Sequence, residues 1–497
     1  MADVILIHSP TTVNAKRCAA SFHPMDKIGY GMLHIASFLS KNGYNVQIWD
    51  VPELYRQGYD EKYLERCLRK SSPIVVGVEL NWMHQSLGAI ETAKMAKKTS
   101  PSTPVLIGGT HASILAGEIA NRYSDCVDAV LRGEAEISLL ECVRRIEEGK
   151  PFDDIGGVTR RSGKKFISNP IERVVEKIDE IPPYTLKETE ILGCPSPDVY
   201  SPAINVCRGP CFRKCIYCIG PRIHEFSGRK EYTTHSPEWV LNQLRLLVEE
   251  GYTEFYIQDW TYLSSKKTIE SIADAMVREG LDQEIRHLNL VAAPGFLKGG
   301  TLMKLARAGV DTIDYGMETG SQKVLNLSKR DVTTQQMKDS VKLTVKVGIV
   351  PQTWWMTGFP EETWEDVRGT ARLIRETIKL GGLPFWVTPL IVEPGTELYN
   401  EAEQHGLRLR MRGFEDYTVF STTPLRSLAW YPELITHETR HFDARDILKA
   451  SFLLRMLIYR RRDEILSRIP KMHRKFESED VASHIRQAMS RILFTIF

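Results

Sequence analysis

Two separate series of short apolar runs alternating with amphipathic helical stretches constrain this chain more than any other feature. The first fills residues 1–150, with strand-like runs Val4–His8, Asn45–Trp49, Ile74–Leu80, Val105–Ile107 and Ala129–Leu131. Helical stretches Gly31–Lys41, Gln85–Lys98, Ala112–Tyr123 and Ile137–Glu147 lie between or after them. This spacing predicts a doubly wound, mostly parallel α/β sheet. In such sheets ligands sit beyond the carboxyl ends of the strands, where strand order reverses. The second series fills residues 199–400, with strands over Ala203–Val206, Glu254–Ile257, Leu288–Ala292, Thr312–Tyr315, Ile349–Trp355 and Phe385–Leu390. Helical stretches Pro237–Glu250, Lys267–Glu279, Gly300–Ala308, Thr334–Val347 and Thr363–Leu380 separate them. Between the series, residues 151–198 carry polar turns and adjacent prolines at 182 and 183, which predicts an ordered, extended linker.

Composition narrows the function classes. At 497 residues the chain is too long for one core, and 42% hydrophobic with 26% charged residues is ordinary for a soluble globular protein. A net charge of +2 gives no general attraction for nucleic acid. No apolar run is long enough to span a bilayer, and the amino terminus does not read as a signal peptide. The nine cysteines form no disulfide framework, which points to a reducing cytoplasm. Cys18, Cys67, Cys126, Cys142 and Cys194 are scattered and read as packing residues.

The remaining cysteines cluster at the start of the second series. Cys211, Cys215 and Cys218 form a Cys-x3-Cys-x2-Cys triplet. Three thiolates at this spacing can hold three irons of a cubane cluster and leave the fourth open. Zinc is the alternative and usually wants a closed tetrahedron of ligands, for which Cys207 is the nearby fourth thiol.

With Tyr217 before its last cysteine, the triplet resembles the cluster signature of the radical S-adenosylmethionine (SAM) enzymes. The resemblance implies a 4Fe-4S cluster on Cys211, Cys215 and Cys218, SAM on the open iron, Tyr217 near the adenine, and a partial (β/α)6 barrel over residues 199–400. After the second strand comes Gln258-Asp259-Trp260, where the family often has an acidic pair. Tyr315-Gly-Met-Glu-Thr-Gly-Ser321 is similar to the family's Gly-x-Glu-(Ser/Thr)-Gly-Ser, which makes Glu318 an acceptor for the SAM ribose or amine. Gln258, Asp259, Glu318, Thr319 and Gln352 are accordingly expected SAM contacts. Met356 to Thr363 is similar to Gly-x-Pro-x-Glu-Thr, with Glu362 and Thr363 read either as helix caps or as SAM contacts. Glu393-Pro-Gly-Thr396 resembles the Pro-Gly-Thr turn that closes the domain. Trp354 and Trp355 point to opposite faces of one strand, so one of them walls the interior. Cys207, Trp260, Trp354 and Trp355 are candidates for the substrate and cofactor cavity.

The order Gly29-Tyr-Gly-Met, Gly108-Gly-Thr-His111 and Arg132-Gly-Glu-Ala-Glu136 looks like the cobalamin-binding domain fused to many radical SAM enzymes. No Gly-x-Gly-x-x-Gly follows the first strand, which argues against a dinucleotide. The resemblance implies cobalamin contacts at Ser9, Pro10, Thr11, Tyr30, Gly31, Met32, Asn81, Trp82, Gly108, Gly109, Thr110, His111, Gly133, Glu134 and Glu136. The Asp-x-His-x-x-Gly signature of other cobalamin proteins is absent, so His111 is expected to line its loop rather than to ligate cobalt.

Together these resemblances imply a cobalamin-dependent (class B) radical SAM methyltransferase, in which a 5′-deoxyadenosyl radical takes a hydrogen atom from an unactivated carbon and methylcobalamin donates the methyl group. Its substrate is a small molecule such as a natural-product intermediate, or a peptide or protein residue as in methyl-coenzyme M reductase. Its electron donor is external, of ferredoxin or flavodoxin type. The other readings are a non-methylating ring formation or rearrangement with the same cofactors, a methylthiotransferase, and a non-catalytic cobalamin-binding regulator. Residues 401–497 are expected to be mainly helical, with basic helices over Leu448–Arg468 and Val481–Phe494 forming a substrate lid.

Overall fold

The computed structural model describes residues 2–16, 27–187, 189–197, 200–257, 265–422, 431–462 and 464–465. The first series folds into parallel strands β1 (Val4–His8), β2 (Val46–Asp50), β3 (Val75–Glu79), β4 (Val105–Gly108) and β5 (Ala129–Leu131), in the spatial order β5-β4-β3-β1-β2. All five residues of β1 are buried. A strand covered by helices on both faces needs such an unbroken apolar run. Strand order reverses between β3 and β1, so the loops after β1, β3, β4 and β5 meet at one edge.

The segment read as a linker is woven into this sheet. β6 (Val158–Ser162) and β7 (Lys165–Ser168) form a hairpin antiparallel to β5, and β8 (Glu190–Leu192) pairs with β2 at the opposite edge. The eight-stranded sheet thus covers both edges of its parallel core, which would otherwise present open rows of N–H and C=O groups. The chain between β7 and β8 does cross between domains. Pro182 O accepts from Ser37 Oγ of the first domain at 2.9 Å, and Ile181 O accepts from Trp239 Nε1 of the second at 2.8 Å.

The second series builds a six-stranded, all-parallel sheet: β9 (Ala203–Ile204), β12 (Glu254–Ile257), β13 (His287–Ala292), β14 (Thr312–Glu318), β15 (Val350–Thr357) and β16 (Leu383–Pro389). A short ribbon, β10 (Cys207–Arg208) with β11 (Thr233–Thr234), stands beyond β9. Helices Pro237–Glu249, Lys266–Glu279, Gly299–Arg307, Thr334–Lys346 and Trp364–Lys379 connect the strands. Three of them start on hydroxyl caps, at Ser236, Ser265 and Thr333, each worth about 1 kcal/mol. Along β15 burial alternates. Thr353 and Trp355 lie in the core, while Gln352, Trp354 and Met356 share the other, half-buried face.

Beyond the barrel, β17 (Arg408–Leu409) pairs with β18 (His437–Glu438), and helix Ala444–Tyr459 packs along β16. Arg455 Nε donates to Val387 O at 2.7 Å, supplying a partner on the terminal strand of the sheet. Of the tail helices expected, Leu448–Arg468 corresponds to Ala444–Tyr459, and Val481–Phe494 lies outside the described residues. The described helix packs along β16 and β15, and Ile447 O accepts from Thr357 Oγ1 at 3.4 Å at the carboxyl end of β15. No helix among the described residues is long and apolar enough to cross a membrane.

Candidate functional site

The cysteine loop follows β9 and β10 at the carboxyl end of the barrel and is pinned on several sides. Cys211 N donates to Gly220 O at 3.0 Å, Ile216 N to Ser328 O at 3.2 Å, and Leu398 N to Ile216 O at 2.9 Å. The Pro-Gly-Thr turn after β16 therefore holds the cysteine loop as well as closing the domain. At Gly395, φ is +86° and a Cβ would sit 3.0 Å from Ile219 and Phe226, so only glycine fits that approach.

Cys211, Cys215 and Cys218 are all free thiols. Cys218 Sγ accepts from Gly220 N at 3.3 Å, and Cys215 Sγ from Arg330 Nη1 at 3.7 Å. Burial pushes the Cys218 thiol up to about 12. Burial also raises the Cys211 thiol, and a bound iron centre would make thiolate ionisation favourable. Three sulfurs on one anchored loop, two of them with N–H donors, fit a three-thiolate cluster.

Glu318 ends β14 beside this loop and is 7% exposed. Its φ of +65° is strained for a non-glycine residue and costs on the order of 1–3 kcal/mol. The carboxylate folds back so far that a Cβ at Gly316 would lie 2.5 Å from Glu318 Oε1, which explains the glycine two residues earlier. Burial raises the Glu318 pKa, opposed by the Arg330 cation and by a hydrogen bond from Tyr217. Tyr217 and Glu318, distant in sequence, are thus brought together. Gln352 lies on the half-buried face of β15 with Trp354, whose ring packs 5.2 Å from Phe385 and 6.2 Å from Trp386. Thr319 is 1% exposed, and its hydroxyl lies 3.1 Å from that of Thr370 on the following helix. Thr363 stands at the start of helix Trp364–Lys379, and Asp366 Oδ2 accepts from its N–H at 2.9 Å and from its hydroxyl at 2.7 Å. Glu362 is fully buried and accepts from Gly358 N at 2.6 Å; burial lifts its pKa to about 8, so it stands as a neutral acid holding its own loop. Trp355 faces the core, its Nε1 bonded to Thr353 Oγ1 at 3.0 Å. Gln258, Asp259 and Trp260 lie outside the described residues.

At the edge of the first sheet, the strand-end loops are wired into one platform. Glu79, ending β3, accepts from Asn81 and pairs with His8, which ends β1. Asn81 Oδ1 accepts from Thr110 N at 3.1 Å, and Gln85 bridges the backbones of Asn81, Trp82 and Ser9 at 3.0, 3.1 and 3.3 Å. Gly109 has φ of +121°, and a Cβ there would approach Leu80 O to 2.6 Å. Pro10 O lies flat on Gly88, with Ser9 and Thr11 buried beside it. Tyr30, Gly31 and Met32 open the helix Tyr30–Lys41, and a Cβ on Gly31 would meet open space. Backbone-rich loops around that space, at the switch in strand order, fit a large planar ligand. His111 turns from the platform to the carboxyl-terminal segment, with its ring 6.1 Å from both Phe414 and Tyr417. Burial holds its pKa down to about 3, so it is a neutral packing residue.

Glu134 and Glu136 occupy a different setting from the other strand-end residues. Their carboxylates pair with Arg208 at 3.1 and 2.8 Å, and Glu134 is also gripped by Arg229 at 2.7 Å. Gly133 and Glu134 lie against the cysteine loop's own helix, Ile223–Ser227, with Glu134 N donating to Ser227 O at 3.1 Å. Cys207 is buried on β10, with its carbonyl accepting from Asn205 Nδ2 at 2.7 Å. Sequence reasoning missed Arg330, Arg229 and the bridging part of Arg208. Arg208 sits beside the cysteine triplet, but nothing in its spacing names a partner in the other domain.

The B12 binding domain matches residues 24–143, and the radical SAM superfamily matches residues 205–374. The chain is 26% identical over 416 residues to an uncharacterized methyltransferase of Pyrococcus horikoshii, covering 82% of this chain and 84% of that one. Its fold is similar to that of the radical S-adenosylmethionine methyltransferase TsrM from Kitasatospora setae with cobalamin and a [4Fe-4S] cluster bound. That match has a TM-score of 0.66 and 18% identity, covering 83% of this chain and 81% of TsrM. It is also similar to the cobalamin-dependent SAM radical enzyme OxsB with aqua-cobalamin and SAM bound. There the TM-score is 0.70 and the identity 14%, covering 99% of this chain and 72% of OxsB.

Proposed function

The chain belongs to the cobalamin-dependent radical SAM enzymes and uses a 4Fe-4S cluster, SAM and cobalamin; from that premise we propose that it transfers a methyl group to an unactivated carbon of its substrate. Bound cluster and SAM supply one-electron cleavage of SAM, and cobalamin supplies a transferable methyl group. The observation that carries the reading is the contact of the B12 domain's Gly133–Glu134 loop with helix Ile223–Ser227, which directly follows the cysteine loop. A domain that only stored or sensed cobalamin would not need its ligand loops against the SAM side.

In this reading Cys211, Cys215 and Cys218 hold the cluster. Arg330 offsets its negative charge. Tyr217 and Glu318 present a hydroxyl and a carboxylate to SAM. The loops after β1 and β3 and the glycine loop after β4 seat the corrin. Trp354 and Trp386 wall the barrel interior and keep water from the reacting carbon. The substrate is a small molecule or a residue of a peptide or protein.

The test is anaerobic reconstitution with iron, sulfide and cobalamin, followed by SAM and a strong reductant, with S-adenosylhomocysteine and 5′-deoxyadenosine assayed together. Both products should form, and the Cys211→Ala/Cys215→Ala/Cys218→Ala variant should lose 5′-deoxyadenosine. Deoxyadenosine alone would favour a non-methylating reaction. Neither product, with zinc in place of iron, would sink the enzymatic reading.

A further inference from the structure

A buried charge network crosses the boundary between the two cofactor domains. Arg208, on the short strand three residues before Cys211, reaches into the B12 domain. Its Nη1 lies 2.8 Å from Glu136 Oε1 and 3.1 Å from Glu134 Oε2, and its Nη2 lies 2.9 Å from His34 Nδ1. The Arg208 side chain is only 10% exposed. Arg229 grips Glu134 with two parallel bonds, Nε to Oε1 and Nη2 to Oε2, both 2.7 Å. The same guanidinium donates to Val175 O at 2.6 Å, in the segment that crosses between the domains.

Two arginines face two glutamates, so the network is neutral. Burial, reinforced by the Arg208 cation, lowers the His34 pKa well below its usual value, so His34 accepts from Arg208 as a neutral ring. His34 also packs edge-on against Trp239, 5.6 Å between ring centres, on the barrel's first helix. Desolvation cancels much of the gain from burying such pairs, so they add little net stability. Their geometry, however, is exacting. A bidentate arginine accepts only one placement of its carboxylate, and any slip of one domain on the other leaves charges buried and unpaired. Interfaces between domains otherwise slide and hinge by default.

We infer that Arg208 is a positioning residue whose pairing with Glu134 and Glu136 fixes the distance between the cysteine loop and the strand-end loops of the B12 domain, and so between SAM and the corrin. The inference rests on the methyltransferase reading for its consequence, though not for its geometry. Both ends of the strut lie on the loops that carry the cofactors: Arg208 leads into the cysteines, and Glu134 and Glu136 follow β5. Two SAM-consuming reactions then share one cavity, one delivering the methyl group to cobalt and the other cleaving SAM at the cluster. Their ratio depends on that distance.

The experiment uses the full-length chain with spin labels on keto-bearing unnatural residues at Tyr59 and Met303, exposed positions in the two domains (41% and 52%). Pulsed dipolar spectroscopy should give one narrow distance for the wild type, and Arg208→Lys, which keeps the charge but not the fork, should broaden it less than Arg208→Gln. Arg208→Gln should give a broadened or shifted distribution. In reconstituted protein it should also change the ratio of S-adenosylhomocysteine to 5′-deoxyadenosine by tenfold or more, with iron and corrin contents unchanged. Should Arg208→Gln not fold, Glu136→Gln, which leaves Arg208 paired to Glu134, should show the same broadening to a lesser degree. A distance distribution as narrow as wild type in the glutamine variant that folds, with the product ratio unmoved, overturns the inference. If the wild type binds no corrin, the methyltransferase reading fails while the distance measurement still decides whether Arg208 sets the domain spacing.

Discussion

Arg330 places its guanidinium 3.7 Å from the Cys215 sulfur, across 115 residues of sequence, and is itself only 3% exposed. The same group donates to Gly316 O at 2.8 Å and stands 3.6 Å from the Glu318 carboxylate. One buried cation thus serves the cysteine loop and the end of β14 together.

Removing that cation should act on both. Arg330→Met leaves Glu318 buried beside the cysteines without its counter-charge, a loss of about 3–5 kcal/mol. A reduced cluster also loses a compensating charge, so its midpoint potential should fall. Denaturant unfolding reads the first effect and redox titration followed by electron paramagnetic resonance reads the second. An unchanged potential in the variant would show that Arg330 serves Glu318 alone.

Gly316→Ala puts a methyl group where the Glu318 carboxylate now sits, at 2.5 Å. The carboxylate must move by about an ångström, and misplacement on that scale costs about 100-fold in rate. Formation of 5′-deoxyadenosine should drop by that factor while iron content stays at the wild-type level. Equal rates for the two proteins would remove Glu318 from the reaction.

Gly109→Val should release the corrin. Its φ of +121° is hostile to a β-branched residue, and the added Cβ would meet Leu80 O and Asn81 Oδ1 at 2.6 Å. The platform of strand-end loops must open. The corrin absorbance after desalting should be lost, whereas the iron–sulfur absorbance should persist.

Acid should weaken the fold at its buried histidines. His84, His235 and His437 have pKa values lowered to about 4 and His111 to about 3, each with burial as the first cause. The unfolded chain binds these protons near pH 6.5, the folded chain only near 3 to 4. Their contribution is therefore fully present above about pH 6.5 and is lost as pH falls toward 4, on the order of a few kcal/mol for each ring. Glu362, raised to about 8, and Glu393, raised to about 7, act in the opposite sense, so the histidine share of the fall between pH 6.5 and 4 is read in urea unfolding as the difference between the wild type and a histidine variant. For the single variant His437→Gln the fall should be shallower.

Arg455→Leu removes the donor to Val387 O on β16. A buried carbonyl left without its donor costs about 1–3 kcal/mol. Because β16 is the terminal strand of its sheet, the variant should also aggregate faster on mild heating, as light scattering would record. No change in either measure would mean that helix Ala444–Tyr459 protects the edge by packing alone.

The two strand–helix series were readable because parallel strands buried on both faces are continuous apolar runs and their helices carry a regular period. Residues 151–198 were not readable in the same way. β6 has one buried end and one exposed end, and β8 is three residues long, so neither carries a periodic signal. They are strands only because open sheet edges lie within reach. The turn chemistry was local and legible, as in the cap at Thr363 and the glycine at 395.

The sequence by itself determined which residues stand on each carboxyl-end loop, because cysteine spacing, glycine pairs and the Gly-Met-Glu stretch are all local patterns. Only the tertiary structure decided which of them meet. Arg208 and Arg229 reach Glu134 across 74 and 95 residues, and Arg330 reaches Cys215 across 115. No local period encodes an ion pair at such separations. A charge on a loop reads as solvated until the folded chain buries it, and burial then requires that a particular partner be present.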